Sequence, residues 1–268
     1  MISLGIQTWA GRIASVVIVP AYFLVLRLLG YRIRDLDHLR RQWRTICEGH
    51  RGPWLLCANH LTMIDSLILI YGLLSLGDHF RHYEKVPWNL PERDNFQRNP
   101  VLAVLCYLAK CLPVNRGGDR EEMKKTLATC HDLLANGQQI LVFPEGGRSR
   151  TGRIDVESYA YGVGRFVAEH PDCRVLCVYL RGDRQDTYSD LPVRGDVFTM
   201  AIEPFVPERV SGQGLRAQRA YAGQIVQRLA RMEERYFACH RQRHCRSEVV
   251  REPGEERGSS FSRPGLHA

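Results

Sequence analysis

Serine-hydrolase, P-loop and dinucleotide-binding chemistry all lack their signatures in this chain. GxSxG and GxxxxGK[ST] do not occur, and the glycines at 162 and 164 have none of the further spacing of a dinucleotide fingerprint. No RNP, zinc-finger or helix-turn-helix pattern is present, so no nucleic acid is expected as a partner. The nine cysteines are odd in number and include no CxxC pair, which argues against a disulfide framework or a zinc ribbon. Cys57, Cys106, Cys111 and Cys177 sit in apolar runs and read as reduced core thiols. The ligand-type cluster Cys239-His240 with His244-Cys245 lies in an arginine-rich tail without a second pair upstream, and no metal is expected there. Internal repeats are missing, and so is an apolar run of the ~20 residues that a comfortable membrane crossing needs.

What remains is an apolar, basic chain. The longest apolar stretch, Ile13 to Leu26, is bounded by Arg12 and Arg27 and has no small-residue cleavage site after it. With Arg32 and Arg34 following, it reads as an anchor dipping into one leaflet, the alternative being a helix packed on the domain. Residues 1–48 are therefore assigned to a membrane-associating helical segment. Lys and Arg outnumber Asp and Glu by 37 to 29, a formal charge of +8 that suits phospholipid headgroups or an acidic carrier protein. At 268 residues and 44% hydrophobic composition, one sizeable core can be buried. The expected domain runs over 49–239, and a flexible basic tail over 240–268.

Patterning predicts an α/β fold: a single mixed central sheet covered by helices. Strands are expected at 54–57, 80–84, 139–143, 174–180 and 196–202. Leu36, Leu39, Trp43 and Ile46 mark an amphipathic helix over 35–49. Further helices are expected over 66–74, from Asn99-Pro100 to Lys110, from Asp119 to Asn136, and over 157–169 and 213–238. Lys85 to Pro91 reads as a loop. Trp88 and Phe96 have two readings, contact with an acyl chain or membrane, and packing beneath that loop.

Three sites carry chemistry. His60 and Asp65 stand five residues apart between the 54–57 strand and the helix after it. Inside one helix that spacing points two side chains ~140° apart, so they can meet only if His60 precedes the first turn. An imidazole can take a proton from an attacking hydroxyl near neutral pH, and a carboxylate on its far nitrogen would fix the tautomer. Thr62 to Asp65 also fits a capping box, which leaves Asp65 two roles. The second site is the Gly-rich loop Pro144-Glu145-Gly146-Gly147-Arg148-Ser149-Arg150, a phosphate cradle or a solvated basic turn. The third is Pro113-Val114-Asn115-Arg116-Gly117, where Arg116 is another candidate anion ligand or a surface arginine.

Taken in chain order, Asn59-His60 with Asp65, then Pro113 to Gly117, then Phe143 to Ser149, the motifs resemble those of the glycerolipid acyltransferase superfamily typified by 1-acylglycerol-3-phosphate acyltransferases, over about Gly52 to Pro207, and Arg174 to Leu180 resembles that family's late hydrophobic strand. The resemblance implies that His60 is the general base, Asp65 its orienting partner, and an acyl-CoA or acyl-carrier-protein thioester the donor, with no cofactor. Arg116 would grip the acceptor phosphate, and Glu145, Gly146 and Arg148 would bind the acceptor and organise the site. Amides near the helix start would stabilise the oxyanion. The implied partners are membrane phospholipid and lysophospholipid, at the cytoplasmic face of the inner membrane. Gly147 replaces a usual threonine, Pro113 a common aromatic residue and Cys177 a usual proline. These departures leave open another lipid-like alcohol as acceptor, such as an ornithine lipid precursor or a pigment head group. A catalytically silent membrane scaffold is the remaining alternative.

Overall fold

A computed structural model describes residues 4–96, 99–115 and 117–249. Its strands are β1 (Arg32–Ile33), β2 (Trp54–Ala58), β3 (Trp88–Asn89), β4 (Ile140–Val142), β5 (Arg174–Gly182) and β6 (Val197–Phe205). The helices are α1 (Leu4–Leu28), α2 (Leu36–Glu48), α3 (Asp65–Leu73), α4 (Leu76–Arg81), α5 (Arg93–Phe96), α6 (Pro100–Leu108), α7 (Arg120–Ala135), α8 (Gly162–Glu169) and α9 (Gly214–Val249). The strands form one sheet in the order β1-β6-β5-β2-β4-β3, parallel throughout except for the antiparallel pair β5 and β6. Mixed α/β architecture is thus what the patterning implied. The apolar sequence of β2 explains its place: all five residues are buried, as a central strand covered on both faces requires.

Packing divides the chain into Met1–Glu233, which holds the sheet, and Glu234–Ala268, which contains the end of α9. The expected boundary at residue 48 does not separate an anchor from the sheet. Within 32–48, β1 pairs with β6, and Leu39 and Trp43 of α2 enter the main core. Helix α1 extends well beyond the apolar run because Arg12, exposed on its outer face, does not interrupt it. It is long and apolar enough to cross a membrane. One stripe of it (Gln7, Gly11, Ser15, Val19, Phe23 and Leu26) is buried, and the last three belong to the main core. Burial of each such apolar side chain is worth roughly 1.5–3 kcal/mol.

Other expectations are corrected. The strand predicted over 80–84 is α4 followed by a 3₁₀ turn, Tyr83–Lys85. The cause is a capping box: Ser75 Oγ accepts from the Asp78 amide while the Asp78 carboxylate accepts from the Ser75 amide, which commits the chain to a helix. Inside the predicted 85–91 loop, Trp88 and Asn89 pair with β4 as an edge strand, and Trp88 is fully buried. Helix α8 begins at Gly162 rather than 157. Helix α9 continues past His240 to Val249, where a flexible tail was expected, and residues 250–268 lie outside the described residues.

Candidate active site

Strand β2 stops at Ala58, and Asn59 takes over its pairing with a side chain. Asn59 Nδ2 donates to the Leu180 carbonyl (2.9 Å) and its Oδ1 accepts from the Leu180 amide (2.7 Å), so the ladder to β5 extends one residue while the chain turns away. His60 follows at the carboxyl end of a central parallel strand, the edge where open α/β sheets bind ligands. Its ring lies over Phe143 with centroids 4.0 Å apart and planes 17° apart.

His60 Nδ1 is 3.1 Å from Asp65 Oδ2. The same oxygen accepts from the amides of Leu61 (2.6 Å) and Thr62 (2.8 Å), and Oδ1 accepts from the Thr62 hydroxyl (2.5 Å). Asp65 therefore ties the loop and faces the imidazole together, although the standard capping box is not formed: Ile64 is the N-cap, without a side-chain bond. Because the carboxylate can only accept, the neutral ring that fits it has its proton on Nδ1 and its lone pair on Nε2. The Asp65 side chain is 4% exposed and that of His60 18%, so the imidazole is sheltered yet reachable. Of the amides near the helix start, those of Leu61 and Thr62 are committed to Asp65, and that of Met63 donates to the Asp190 carbonyl (3.2 Å). None of these three is left for an oxyanion.

The Gly-rich loop follows β4 and wraps the same histidine. Glu145 Oε1 accepts from the His60 amide (2.8 Å), and the Ser149 amide donates to the His60 carbonyl (2.9 Å). Burial pushes the Glu145 carboxyl up to about 8, against the pull of the His60 amide, and the neighbouring Glu233, Asp65 and Asp155 carboxylates push the same way. Gly146 has φ +72° with Ala160 Cβ 3.2 Å from where its own Cβ would stand, so the turn requires glycine. Gly147 is different: a Cβ there would meet nothing within 4 Å. Arg148 is held by a loop 41 residues on, donating to the Ser189 carbonyl (2.9 Å) and the Asp190 carboxylate (2.6 Å). Arg153 pairs with Glu233 (3.1 Å), and Arg150 is exposed. Arg116 lies outside the described residues.

Next to the His60 loop is an apolar cavity of about 450 Å³, within the range of lipid and small-molecule pockets. Met63 and Ile64 of the loop border it, as do Asp190, Leu67 and Ile70 of α3, Val19 of α1 and Leu105 of α6. Phe96 lines it too, whereas Trp88 packs inside the protein, so the two aromatics take different roles. Tyr22 and His79 form a polar pair in its wall, with the tyrosine oxygen 3.2 Å from Nε2 and Nδ1 2.8 Å from the Ser75 carbonyl. Asn59 and Phe143 open two of the sequence motifs, while the 188–191 loop, which carries no chemical signature in the sequence, bonds Leu61 and Met63 beside the histidine. Among the described residues no group of histidine, cysteine and acidic side chains is arranged to hold a metal ion.

The site is thus a histidine and a carboxylate joined at the carboxyl end of a central parallel strand, on a loop that borders an apolar cavity. Matched over residues 31–208 by the model of the family described as Acyltransferase, the chain belongs to that family, and its similarities fall within the glycerolipid acyltransferase superfamily. It is 32% identical over 131 residues to a 1-acyl-sn-glycerol-3-phosphate acyltransferase of Chlamydomonas reinhardtii, covering 48% of this chain and 34% of that protein. An N-acylphosphatidylethanolamine synthase of Arabidopsis thaliana is 27% identical over 124 residues, covering 44% and 40%. Tafazzin of Drosophila melanogaster is 30% identical over 127 residues, covering 46% and 31%. The chain thus spans well under half the length of the curated relatives it matches.

Proposed function

We propose that this protein transfers a fatty acyl group from an acyl-CoA or acyl-carrier-protein thioester to a hydroxyl of a lysophospholipid, foremost 1-acylglycerol-3-phosphate, at the cytoplasmic face of the inner membrane. The observation that carries the reading is the contact of His60 Nδ1 with Asp65, which leaves Nε2 as the basic nitrogen, on a loop whose Met63 and Ile64 border an apolar cavity. His60 Nε2 takes the proton of the acceptor hydroxyl as its oxygen attacks the thioester carbon. Asp65 stabilises the imidazolium that forms, and the thiolate leaves, with the imidazolium proton available to it. The cavity takes the acyl chain. Arg150, exposed at the loop, and Arg116 are the cations for the acceptor phosphate, while Glu145 acts through the His60 amide it holds. Arg148 contributes through guanidinium nitrogens not engaged by Asp190.

A second acceptor class, a lipid alcohol with a bulkier head, is favoured by one observation: the space beside Gly147 is open. The relatives include both a lysophosphatidate acyltransferase and an N-acylphosphatidylethanolamine synthase, which is consistent with a fold that serves several acceptors. The test is transfer from labelled acyl-CoA and acyl-carrier protein to a panel of lysophospholipids and other lipid alcohols in mixed micelles. His60→Ala is expected to lower product by about 10²–10⁴-fold without unfolding the protein. Equal incorporation by the variant would remove the base. Release of free fatty acid independent of any added alcohol would make the protein a hydrolase instead.

A further inference from the structure

Helix α6 has an anomalous surface. Its residues, Pro100 to Leu108, include no charged side chain, and none of them is buried. Val101 is 65% exposed and Val104 57%. Helix α1 packs beside it and exposes Ile6, Trp9, Ile13 and Val17 on its own outer face. An apolar face of this kind is uncommon on a protein bathed in water and marks an interaction surface.

We propose that α6 is immersed in the hydrocarbon of one membrane leaflet and forms the membrane-side wall of the apolar cavity, so that an acyl chain slides from the bilayer into the cavity beside it. This rests on the reading of the cavity as an acyl-chain site. Leu67, Leu102, Leu105 and Leu191 each line the cavity and are each exposed, so its mouth opens onto the apolar face. A lipid occupant keeps that mouth in use.

Charge points the same way. Neither α1 nor α6 contains an acidic residue, while Arg12 and Arg27 of α1 are exposed, and Arg194 donates to the Leu28 carbonyl at the end of that helix. Arginines with long aliphatic stems reach the headgroup level from such a position and meet anionic lipid there. Two copies meeting through the same face would instead bring like charges together.

The two helices move as one piece. Gln7 Nε2 of α1 donates to the carbonyls of Tyr107 (2.9 Å) and Cys111 (3.1 Å). At Gly11 an added Cβ would stand 2.5 Å from the Leu108 carbonyl oxygen, so only glycine lets α6 end this close. The buried stripe of α1 runs from Gln7 to Leu26, nearly its whole length, which keeps the helix lying along the domain rather than projecting through a bilayer. Whatever depth α1 takes, α6 shares.

The experiment uses the full chain carrying Trp9→Phe and Val104→Trp. The remaining tryptophans at 43, 54 and 88 are 2%, 3% and 0% exposed, so the new indole is the accessible reporter. With vesicles of equal parts phosphatidylcholine and phosphatidylglycerol, brominated on their acyl chains, its emission is expected to shift to the blue and to be quenched. Val101→Asp with Val104→Asp, both at exposed positions, is expected to lower vesicle co-sedimentation about tenfold with an unchanged far-ultraviolet dichroism spectrum. Emission unaffected by vesicles would overturn the proposal, as would equal sedimentation of the double variant. A blue shift without vesicles, accompanied by a doubled mass in sedimentation, would overturn it in favour of a second copy. Neither readout needs acyl transfer: an unquenched indole in an active enzyme sinks this proposal alone, and a quenched one in an inactive protein sinks the functional reading alone.

Discussion

Glu145→Gln isolates what it costs to keep a carboxyl group behind the candidate base. In the folded protein burial pushes this group up to about 8 from an ordinary 4.5, so it remains protonated at pH 7. The unfolded chain releases that proton near 4.5. Between about 4.5 and about 8 the native state therefore holds more protons than the unfolded state, and stability falls as pH rises through that window. At 1.36 kcal/mol per pH unit the full displacement corresponds to about 5 kcal/mol. Partial exposure and local rearrangement reduce it to about 2–3 kcal/mol. Glutamine keeps the size and the oxygen that accepts from the His60 amide, but it cannot ionise. Urea denaturation in detergent should give wild type and variant similar stability near pH 5, with the variant ahead by about 2–3 kcal/mol near pH 9. Comparison of the two proteins cancels other buried groups, including Lys110, whose ammonium burial pulls down to about 8. Parallel stability curves across the whole range would show that Glu145 is not held protonated and would refute the reasoning.

Asp65→Asn should leave a folded protein, because the amide oxygen can still serve the loop, yet lower transfer by about 10²–10⁴-fold, since a neutral partner stabilises the imidazolium poorly. Single-turnover rates measure this, and a loss under tenfold would detach Asp65 from the chemistry. Asn59→Ala leaves the buried Leu180 amide and carbonyl without their partner and should cost about 2–4 kcal/mol of stability, read by denaturant titration. Gly147→Thr should fold as well as wild type, because a Cβ there meets open space, and should change the ratio of kcat/KM between small and bulky acceptors. An unchanged ratio would dismiss the position as a determinant of acceptor choice.

The central strands could be read from sequence because their environment is uniform. Trp54–Ala58 and the stretch from Val175 to Leu180 are apolar runs buried on both faces, and that composition leaves few alternatives. The proximity of His60 and Asp65 was legible for a geometric reason: the five-residue spacing works only at a strand-to-helix seam, and the chain has one there. Residues 80–84 misled because Phe80 and Tyr83 are strand-favouring aromatics, while a short cap upstream, Ser75 with Asp78, starts a helix. Trp88 and Asn89 are too few to show a period, and their pairing with β4 depends on chain more than fifty residues away. Arg148 reads as a free cation in sequence, since nothing near it announces Asp190, an acid on a loop that the fold brings alongside. Long-range pairing of this kind is set by topology and leaves no local trace.

The first helix has a practical consequence for anyone wishing to prepare this protein without its greasy leader. Val19, Phe23 and Leu26 sit among Trp43, Trp54 and the sheet, so trimming residues 4–28 would open the interior as well as remove a lipid-seeking surface. An exposed apolar surface and part of the core belong to the same stretch of polypeptide. A water-soluble version would have to be obtained by repainting the outward side of that helix with polar residues and leaving its inward side untouched.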